Sequence, residues 1–396
     1  MSVWSSLVGQ GAAVAKLSEA AASARAIVAS RGSGRATDEA RSMSHAWLIT
    51  GPPGSGRSVA ARAFAAALQC TGETVGCGQC AGCRTTMGRT NADVVFAATE
   101  TSIINVETAR SLVLQAQSSP SQGLWRVIVV EDADRLGESG ANALLKAIEE
   151  PPEHTVWLLC APSPEDMIAT IRSRCRHLGL RIPTATAVAD LLVREGIATP
   201  EVALEAARAA QSHIGLARAL ARDPQMRERR RAIVTAPASV RSVGEAVMAA
   251  DRLLETAKAQ ADAQVSDRNA REKADLLRQL GMEESENATK ASRTMLRQLE
   301  EDQKRRSKRA LTDAIDRALI DLLAIYRDVL MVQVGGDGEL INTDLADLVG
   351  QIARDSTPRQ TLARVDHIET ARKRLVANGN PLLVLEDMAI SLRPQT

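Results

Sequence analysis

The feature that most constrains the fold is the stretch GPPGSGRS at residues 51–58. It lies between the apolar run AWLIT (46–50) and an alanine-rich, helix-like stretch at 59–68. A glycine-rich loop between a strand and a helix is the setting of the phosphate-binding pattern G-x-x-x-x-G-K-[ST]. In that pattern backbone N–H groups surround a phosphate, and the following helix adds its positive amino end. The sequence therefore predicts a strand–loop–helix segment that binds phosphate.

One position departs from this pattern, because Arg57 stands where the lysine belongs. Arginine is longer, planar and forked, and it does not replace a compact lysine charge at an enclosed site. The N–H cradle survives, so ATP or ADP binding stays feasible, with Ser58 contacting Mg²⁺ only when nucleotide is present. An ordinary turn is the alternative. The predicted nucleotide-binding residues of the loop are Gly51, Pro52, Pro53, Gly54, Ser55, Gly56, Arg57, Ser58 and Val59.

A second departure lies in RVIVVEDADRL (126–136), an apolar strand that ends in acids. Such a segment usually ends Asp-Glu, where the aspartate holds Mg²⁺ and the glutamate polarises water. Here the order is Glu131-Asp132. Asp132 is one methylene shorter than the base it would replace, and an error of about 1 Å in placement can cost on the order of a hundredfold in rate. Both departures predict a degraded ATPase.

The length and composition predict a soluble protein of several domains. The chain has 396 residues, 45% hydrophobic and 24% charged, and its net charge of +1 gives no overall attraction to nucleic acid or membrane. There is no apolar run of about 18 residues and no signal-like amino terminus, so we expect a cytoplasmic protein without membrane association.

Strand-like and helical runs alternate from 46 to about 182, which predicts a parallel sheet with helices on both faces. The strand-like runs are AWLIT, ADVVFA, WRVIVVED and TVWLLCA. Residues 3–30 are predicted to be helical and 30–42 a polar loop. Beyond 183 only helical patterns follow, and the charged stretch near 255–310 indicates a solvated helix or flexible connection rather than a basic binding tract. We predict domains at 1–182, 183–230 and 231–396.

Four cysteines form a Cys-x6-Cys-x2-Cys-x2-Cys run. In a reducing compartment such a cluster indicates metal binding rather than disulfides. Four thiolates that converge on one tetrahedral ion make a closed structural zinc site. A redox pair and an iron–sulfur cluster are the alternatives. Cys160 and Cys175 lie outside the run. The predicted zinc ligands are Cys70, Cys77, Cys80 and Cys83.

In this order, the motifs resemble those of AAA+ clamp-loader subunits of bacterial DNA polymerase III, most of all the delta-prime type. VWSSLVGQ near the amino terminus, ANALLKAIEEPP (141–152) and IRSRC (171–175) add to the resemblance, which covers about the first 225 residues. It implies an α/β AAA+ domain (a P-loop NTPase-like parallel sheet) with a zinc module, then a small helical lid and an all-α collar. The implied partners are gamma/tau and delta subunits in a pentameric ring, the sliding beta clamp and primer-template DNA.

The resemblance also implies roles for individual residues. Arg174, in the Ser-Arg-Cys triplet, matches an arginine finger presented to a neighbouring subunit's ATP, with an ordinary salt-bridge arginine as the alternative. Arg218 matches a sensor arginine of the ATP-hydrolysing relatives, and Ala161-Pro162 stands where a polar sensor is usual. The residues matching the segment that covers the adenine are Val3, Leu7 and Val8.

Two functions follow from this comparison. The first is a clamp-loader component that helps load the clamp in DNA replication, hydrolyses no ATP itself and supplies Arg174 in trans. The second is an active gamma/tau-type ATPase of the same fold. No polymerase active site is expected in this chain under either alternative.

Overall fold

The computed structural model describes residues 2–30, 42–97, 103–280 and 290–393. Two compact units divide the chain, Met1–Ala221 and Arg222–Thr396. The predicted polar loop at 30–42 falls almost wholly outside the described residues.

A five-stranded parallel sheet forms the centre of the first unit, in the order β2-β3-β4-β1-β5. Every residue of β1 and β4 is buried, since these strands lie inside the sheet and are covered on both faces. The four predicted strand runs are confirmed. The strands are β1 (Ala46–Thr50), β2 (Val94–Ala97), β3 (Arg126–Val130), β4 (Thr155–Ala161) and β5 (Arg176–Gly179).

The edge strand β5 has no counterpart among the predicted strand runs. It pairs with β1, with Ile49 beside Leu178, but only Leu178 of its four residues is buried. An edge strand with one buried side chain carries neither the apolar run nor the alternation by which strands are found in a sequence.

Helices cover both faces of the sheet. On one face Phe64 meets Trp47 of β1 edge-on, with ring centroids 5.2 Å apart. On the other face Leu144 and Ile148 pack on Trp157 and Leu159 of β4. The helices of this unit are α1 (Gly11–Ser30), α2 (Arg57–Leu68), α3 (Ala81–Met87), α4 (Val106–Ala116), α5 (Glu138–Glu149), α6 (Ala169–Arg172), α7 (Ala185–Arg194), α8 (Pro200–Ala209) and α9 (Ile214–Arg222).

The predicted helix at 3–30 is interrupted. A short 3-10 helix covers Val3–Ser6, and α1 begins only at Gly11. Gly9 has a φ of 70°, which an α-helix does not contain. The alanine-rich sequence does not predict this break, which places Gln10 next to the phosphate loop.

Among its described residues the second unit contains helices and their connections but no strand. Its core includes Leu319, Ile325, Val329, Ile368 and Leu385. The helices are α10 (Pro224–Ser239), α11 (Val243–Gln279), α12 (Lys290–Val334), α13 (Ala346–Arg354), α14 (Pro358–Val376) and α15 (Pro381–Ser391).

Most of the charged segment near 255–310 belongs to α11 and α12. These helices run antiparallel, since Arg306 donates to Asn269 at 2.7 Å while Ala261, Val265 and Ala310 share a small apolar cluster. Arginines pair with acids three or four residues away, as in Arg268–Glu272 at 2.8 Å. The described part of this charged segment therefore forms solvated helices, one of the two structures predicted for it. Residues 281–289 lie outside the described residues.

The division between the two units falls after Ala221. The finer division of the first unit into 1–182 and a lid from 183 stays a prediction. Within the described residues, no helix combines the length and the apolar character that crossing a bilayer requires.

Candidate nucleotide site and cysteine centre

The phosphate loop connects the carboxyl end of β1 to the amino end of α2. Gly56 precedes the helix with a φ of 90°, and Gly54 has a φ of 88°. A Cβ on Gly54 would lie 2.8 Å from Cα of His213, so both backbone conformation and space require glycine. The loop therefore has the glycine-dependent turn that the motif predicts, with the α8–α9 connection beside it.

Gln10 holds this loop from the amino-terminal segment. Its Nε2 donates to the carbonyls of Ser55, at 3.2 Å, and Arg181, at 2.6 Å, and its Oε1 accepts from the N–H of Arg181 at 3.2 Å. The break before α1 places Gln10 for these bonds. Gln10 ends the motif VWSSLVGQ, but the sequence predicted no role for it, because a glutamine before an alanine-rich helix does not reveal its distant partners.

Arg57 bonds to the phosphate loop itself. Its Nη1 donates to the carbonyl of Gly51 at 2.7 Å. The hydroxyl of Ser55 is buried and has no hydrogen-bond partner among the described residues. A phosphate oxygen could accept a hydrogen bond from this hydroxyl, so the loop fits a phosphate group. The guanidinium of Arg57, however, is hydrogen-bonded to the loop backbone.

The acid at the end of β3 is held by an arginine. Nη2 of Arg89 lies 2.5 Å from Oε1 of Glu131. Arg62 of α2 is close enough to feel both charges: burial and Arg89 lower its pKa, while Glu131 raises it. Two arginines beside one carboxylate oppose a divalent cation. The pairing with Arg89 therefore opposes Mg²⁺ binding at Glu131.

Further acids share this end of the sheet. Burial and the charge of Asp132 raise the pKa of Asp134, against the opposing effect of Arg135 and Arg57. Burial, with Glu131 as the next cause, raises the pKa of the Cys160 thiol to about 12, which makes it an unreactive core residue. The predicted acids and Arg57 thus lie in one electrostatic neighbourhood.

The three residues predicted to cover an adenine do not lie together around the loop. Val3 packs against the cysteine segment, where its N–H donates to the carbonyl of Gly76 at 3.0 Å. Leu7 lies beside Gly56, and Val8 faces α7 across a cavity of about 520 Å³. Of the three, Leu7 lies beside the phosphate loop, and their role at an adenine stays a prediction.

Both predicted functional arginines have acidic partners. Nε and Nη2 of Arg218 donate to the two oxygens of Glu195, at 3.0 and 2.8 Å, at the end of α7. Arg174 forms an ion pair with Glu149 at the end of α5 and stays 39% exposed. Ala161-Pro162 stands where a polar sensor is usual, and it contributes a backbone hydrogen bond. The carbonyl of Pro162 accepts from the N–H of Gly51 at 3.1 Å. Sequence reasoning named neither glutamate as a partner.

The four predicted metal ligands come together at the other end of α2. Their Sγ atoms all lie within 4.8 Å of one another, and those of Cys70 and Cys80 are 3.9 Å apart. Four sulfurs bound to one tetrahedral zinc at about 2.3 Å would be about 3.8 Å apart. The cluster could hold a metal ion of this kind.

Backbone groups favour thiolates in this cluster. The N–H groups of Cys80 and Cys83 donate to Sγ of Cys77 and Cys80, at 3.3 and 3.4 Å. Burial alone would raise the pKa of Cys80, but hydrogen bonds from Cys83 and Thr71 lower it to about 6. Burial raises the pKa of Cys83. Because the neighbouring thiols interact, they are not expected to lose their protons together.

Part of this chain is similar to known proteins. Residues 35–184 match the family model described as DNA polymerase III, delta subunit. The chain is 34% identical over 165 residues to the DNA polymerase III subunit delta′ of Pseudomonas aeruginosa, which covers 41% of this chain and 50% of that one. It is 35% identical over 159 residues to the subunit gamma/tau of Mycobacterium bovis, covering 39% and 28%.

The matched region is therefore similar to delta, delta′ and gamma/tau subunits of DNA polymerase III. A third relative, the subunit delta′ of Yersinia pestis, is 37% identical over 144 residues, which cover 35% of this chain and 42% of that one. The chain thus spans half or less of the length of these relatives. The region matched by the family model contains the phosphate loop, the four cysteines and Arg174, whereas Val3, Leu7, Val8 and Arg218 lie outside 35–184.

Proposed function

We propose that this chain is a delta-prime-type clamp-loader subunit that takes part in DNA replication without hydrolysing ATP itself. Its partners would be gamma/tau and delta subunits in a pentameric ring, and the ring would load the sliding beta clamp onto primed DNA in the cytoplasm. The helices from 183 to about 230 would serve as the lid, and those from 231 as the collar that joins the subunits.

The observation that carries the non-hydrolytic role is the ion pair between Arg89 and Glu131. It neutralises the acid at the usual metal-binding position, and Arg57 at the lysine position is bonded to Gly51. ATP or ADP could still be held by the loop glycines and the Ser55 hydroxyl, but Glu131 would be a poor ligand for Mg²⁺ because Arg89 neutralises it. Kinship with delta′ sequences agrees with this role.

We propose that the cysteine centre holds a structural zinc ion. Four thiol ligands leave no position for a reactive water, and backbone N–H groups already favour thiolates there. Zinc would supply folding energy to the segment 70–88, which contains only one short helix.

Arg174 would act on a neighbouring subunit rather than on its own loop. Its guanidinium is exposed, lies at the end of α6 and is held by Glu149. An arginine that reaches transferring phosphate across an interface stabilises the charge of the transition state. Glu149 would keep the guanidinium extended until the neighbour's phosphates take over the ion pair.

Steady-state ATP hydrolysis by the reconstituted complex, with clamp and primed DNA, tests this role. We expect Arg174→Ala to lower turnover about tenfold or more while the subunit still enters the complex. Arg174→Lys should rescue it poorly, since a point charge does not reproduce the guanidinium fork.

Arg172→Ala is the matched control, because Arg172 lies two residues away and donates only weakly to the carbonyl of Pro164 at 3.4 Å. Arg176 serves less well, since it stacks over Trp47 at 4.9 Å. Equal turnover with wild-type and Arg174→Ala subunits would exclude the proposed role in trans.

A gamma/tau-type ATPase is the second candidate, favoured by the intact loop glycines and by the gamma/tau relatives. Turnover by the isolated chain separates the two.

A further inference from the structure

Arg89 connects the cysteine segment to the nucleotide end of the sheet. Helix α3 begins directly after Cys80 and contains Cys83, and Arg89 follows it by two residues. The N–H of Arg89 donates to the carbonyl of Thr86 at 3.0 Å, and that of Thr90 to the carbonyl of Thr85 at 2.8 Å. The backbone of Arg89 is therefore fixed by the end of the helix that carries the cysteines.

That backbone is in an unfavourable conformation. Arg89 has a φ of 59°, in the left-handed region that is unfavourable for a residue with a Cβ. Such a conformation persists only where the surrounding structure imposes it. Here α3 and its hydrogen-bonded end impose it, so the position of Arg89 depends on the order of α3.

The side chain then passes over β2 to the end of β3. Its guanidinium lies 4.9 Å from the centroid of the Phe96 ring and ends on Glu131. Glu131 is tied to β2 as well, because its N–H donates to the carbonyl of Ala97 at 2.9 Å. Only 13% of the Glu131 side chain is exposed, so loss of Arg89 would leave a carboxylate with restricted access to water.

We infer that Arg89 couples the cysteine centre to the acidic segment 131–136, so that metal in the centre holds Glu131 in an ion pair and metal loss loosens that segment. This inference rests on the proposed zinc. Zinc would order the segment around α3, α3 fixes Arg89, and Arg89 positions and neutralises Glu131. The nucleotide end of the sheet would then respond to a metal bound at the opposite end of α2.

Hydrogen–deuterium exchange of the full chain tests the coupling, read in peptides that cover 126–137. Zinc removal with a chelator and Arg89→Gln should each raise exchange at 131–136 about two- to fivefold, as expected for loss of one half-exposed ion pair. In Arg89→Gln, zinc removal should add no further increase there, although 70–88 still loosens. Arg84→Gln, on the exposed face of α3, is the control and should behave as wild type.

The coupling must also act in the opposite direction, because an equilibrium coupling is reciprocal. Arg89→Gln and Glu131→Gln should weaken zinc binding by about the same factor, measured by competition with a colorimetric chelator, while Arg84→Gln should not. Arg89→Lys should give an intermediate value, since it keeps the charge but loses the planar group over Phe96.

Unchanged exchange at 131–136 after verified zinc removal would overturn the inference. The inference would also be overturned if zinc removal raised exchange at 131–136 in Arg89→Gln as much as it does in wild type. Metal analysis of the same samples keeps this failure apart from that of the zinc proposal, because a wild-type chain purified without zinc overturns both, whereas a zinc-loaded chain without coupling overturns the inference alone.

Discussion

The two ends of α2 differ in how their sites are built. The helix has 12 residues and is about 18 Å long, with the phosphate loop before Arg57 and Cys70 just after Leu68. The cysteine centre draws all its candidate ligands from 14 consecutive residues, 70–83. The phosphate-loop end depends on distant residues, among them Gln10, Arg89 and Glu131.

This difference explains what each end can do. A local cluster of thiols has one obvious chemistry, and its backbone turns favour thiolates. At the other end the glycine turn is kept, but Arg57 and Glu131 are each engaged within the protein. The same helix thus joins a cysteine cluster that could hold a metal ion to a phosphate loop whose nearby charged residues are paired within the protein.

The largest effect is expected at the cysteine end. Cys77→Ser or Cys80→Ser should lower bound zinc from about one ion per chain to well below half, because a closed site loses one of its four ligands. Exchange in 70–88 should rise strongly while the sheet stays folded. Elemental analysis of protein dialysed against metal-free buffer measures this.

Cys175→Ser is the matched control. Cys175 lies outside the cluster, so this variant should bind as much zinc as wild type. Full zinc retention by both cluster variants would remove the distinction between the two ends.

A smaller effect is expected beside the cysteine end, at Asp93. Its buried carboxylate accepts from the N–H groups of Ser121, Gln122 and Gly123 at 2.7, 2.8 and 2.6 Å. Asp93→Asn should lower the free energy of unfolding of the sheet unit by about 2–3 kcal/mol, because bonds to a charged acceptor are lost. Urea unfolding followed by tryptophan fluorescence measures it, since Trp4, Trp47, Trp125 and Trp157 all lie in this unit.

The Asp93 effect should depend on pH. Burial opposes ionisation, but the N–H donors prevail and lower the pKa of Asp93 below its usual value. The stabilisation is then complete above an unfolded pKa of about 3.9 and is lost as pH falls through the folded value. The difference between wild type and Asp93→Asn should shrink below about pH 4. Asp190→Asn, on an exposed position of α7, should show no such difference, and a gap that grows in acid would contradict the assignment.

The sequence predicted what depends on neighbours along the chain. Strands β1 to β4 and the glycine turn follow from local pattern, and the spacing of the four cysteines predicts that they converge. Strand β5 could not be predicted, because only Leu178 is buried there. The charged pairs could not be predicted either, because their partners lie 23 to 42 residues apart in the sequence and no local pattern connects them. These pairs are Arg89–Glu131, Arg174–Glu149 and Arg218–Glu195.

The most direct test of the account is ATP turnover by the isolated full chain with Mg²⁺. We expect wild type and Gly56→Asp to show the same background rate, since the ion pair of Glu131 and the bond from Arg57 leave no hydrolytic centre. Arg57→Lys alone should not raise that rate, because Glu131 stays paired with Arg89. Turnover by wild type that disappears in Gly56→Asp would contradict the account and make this chain an active ATPase.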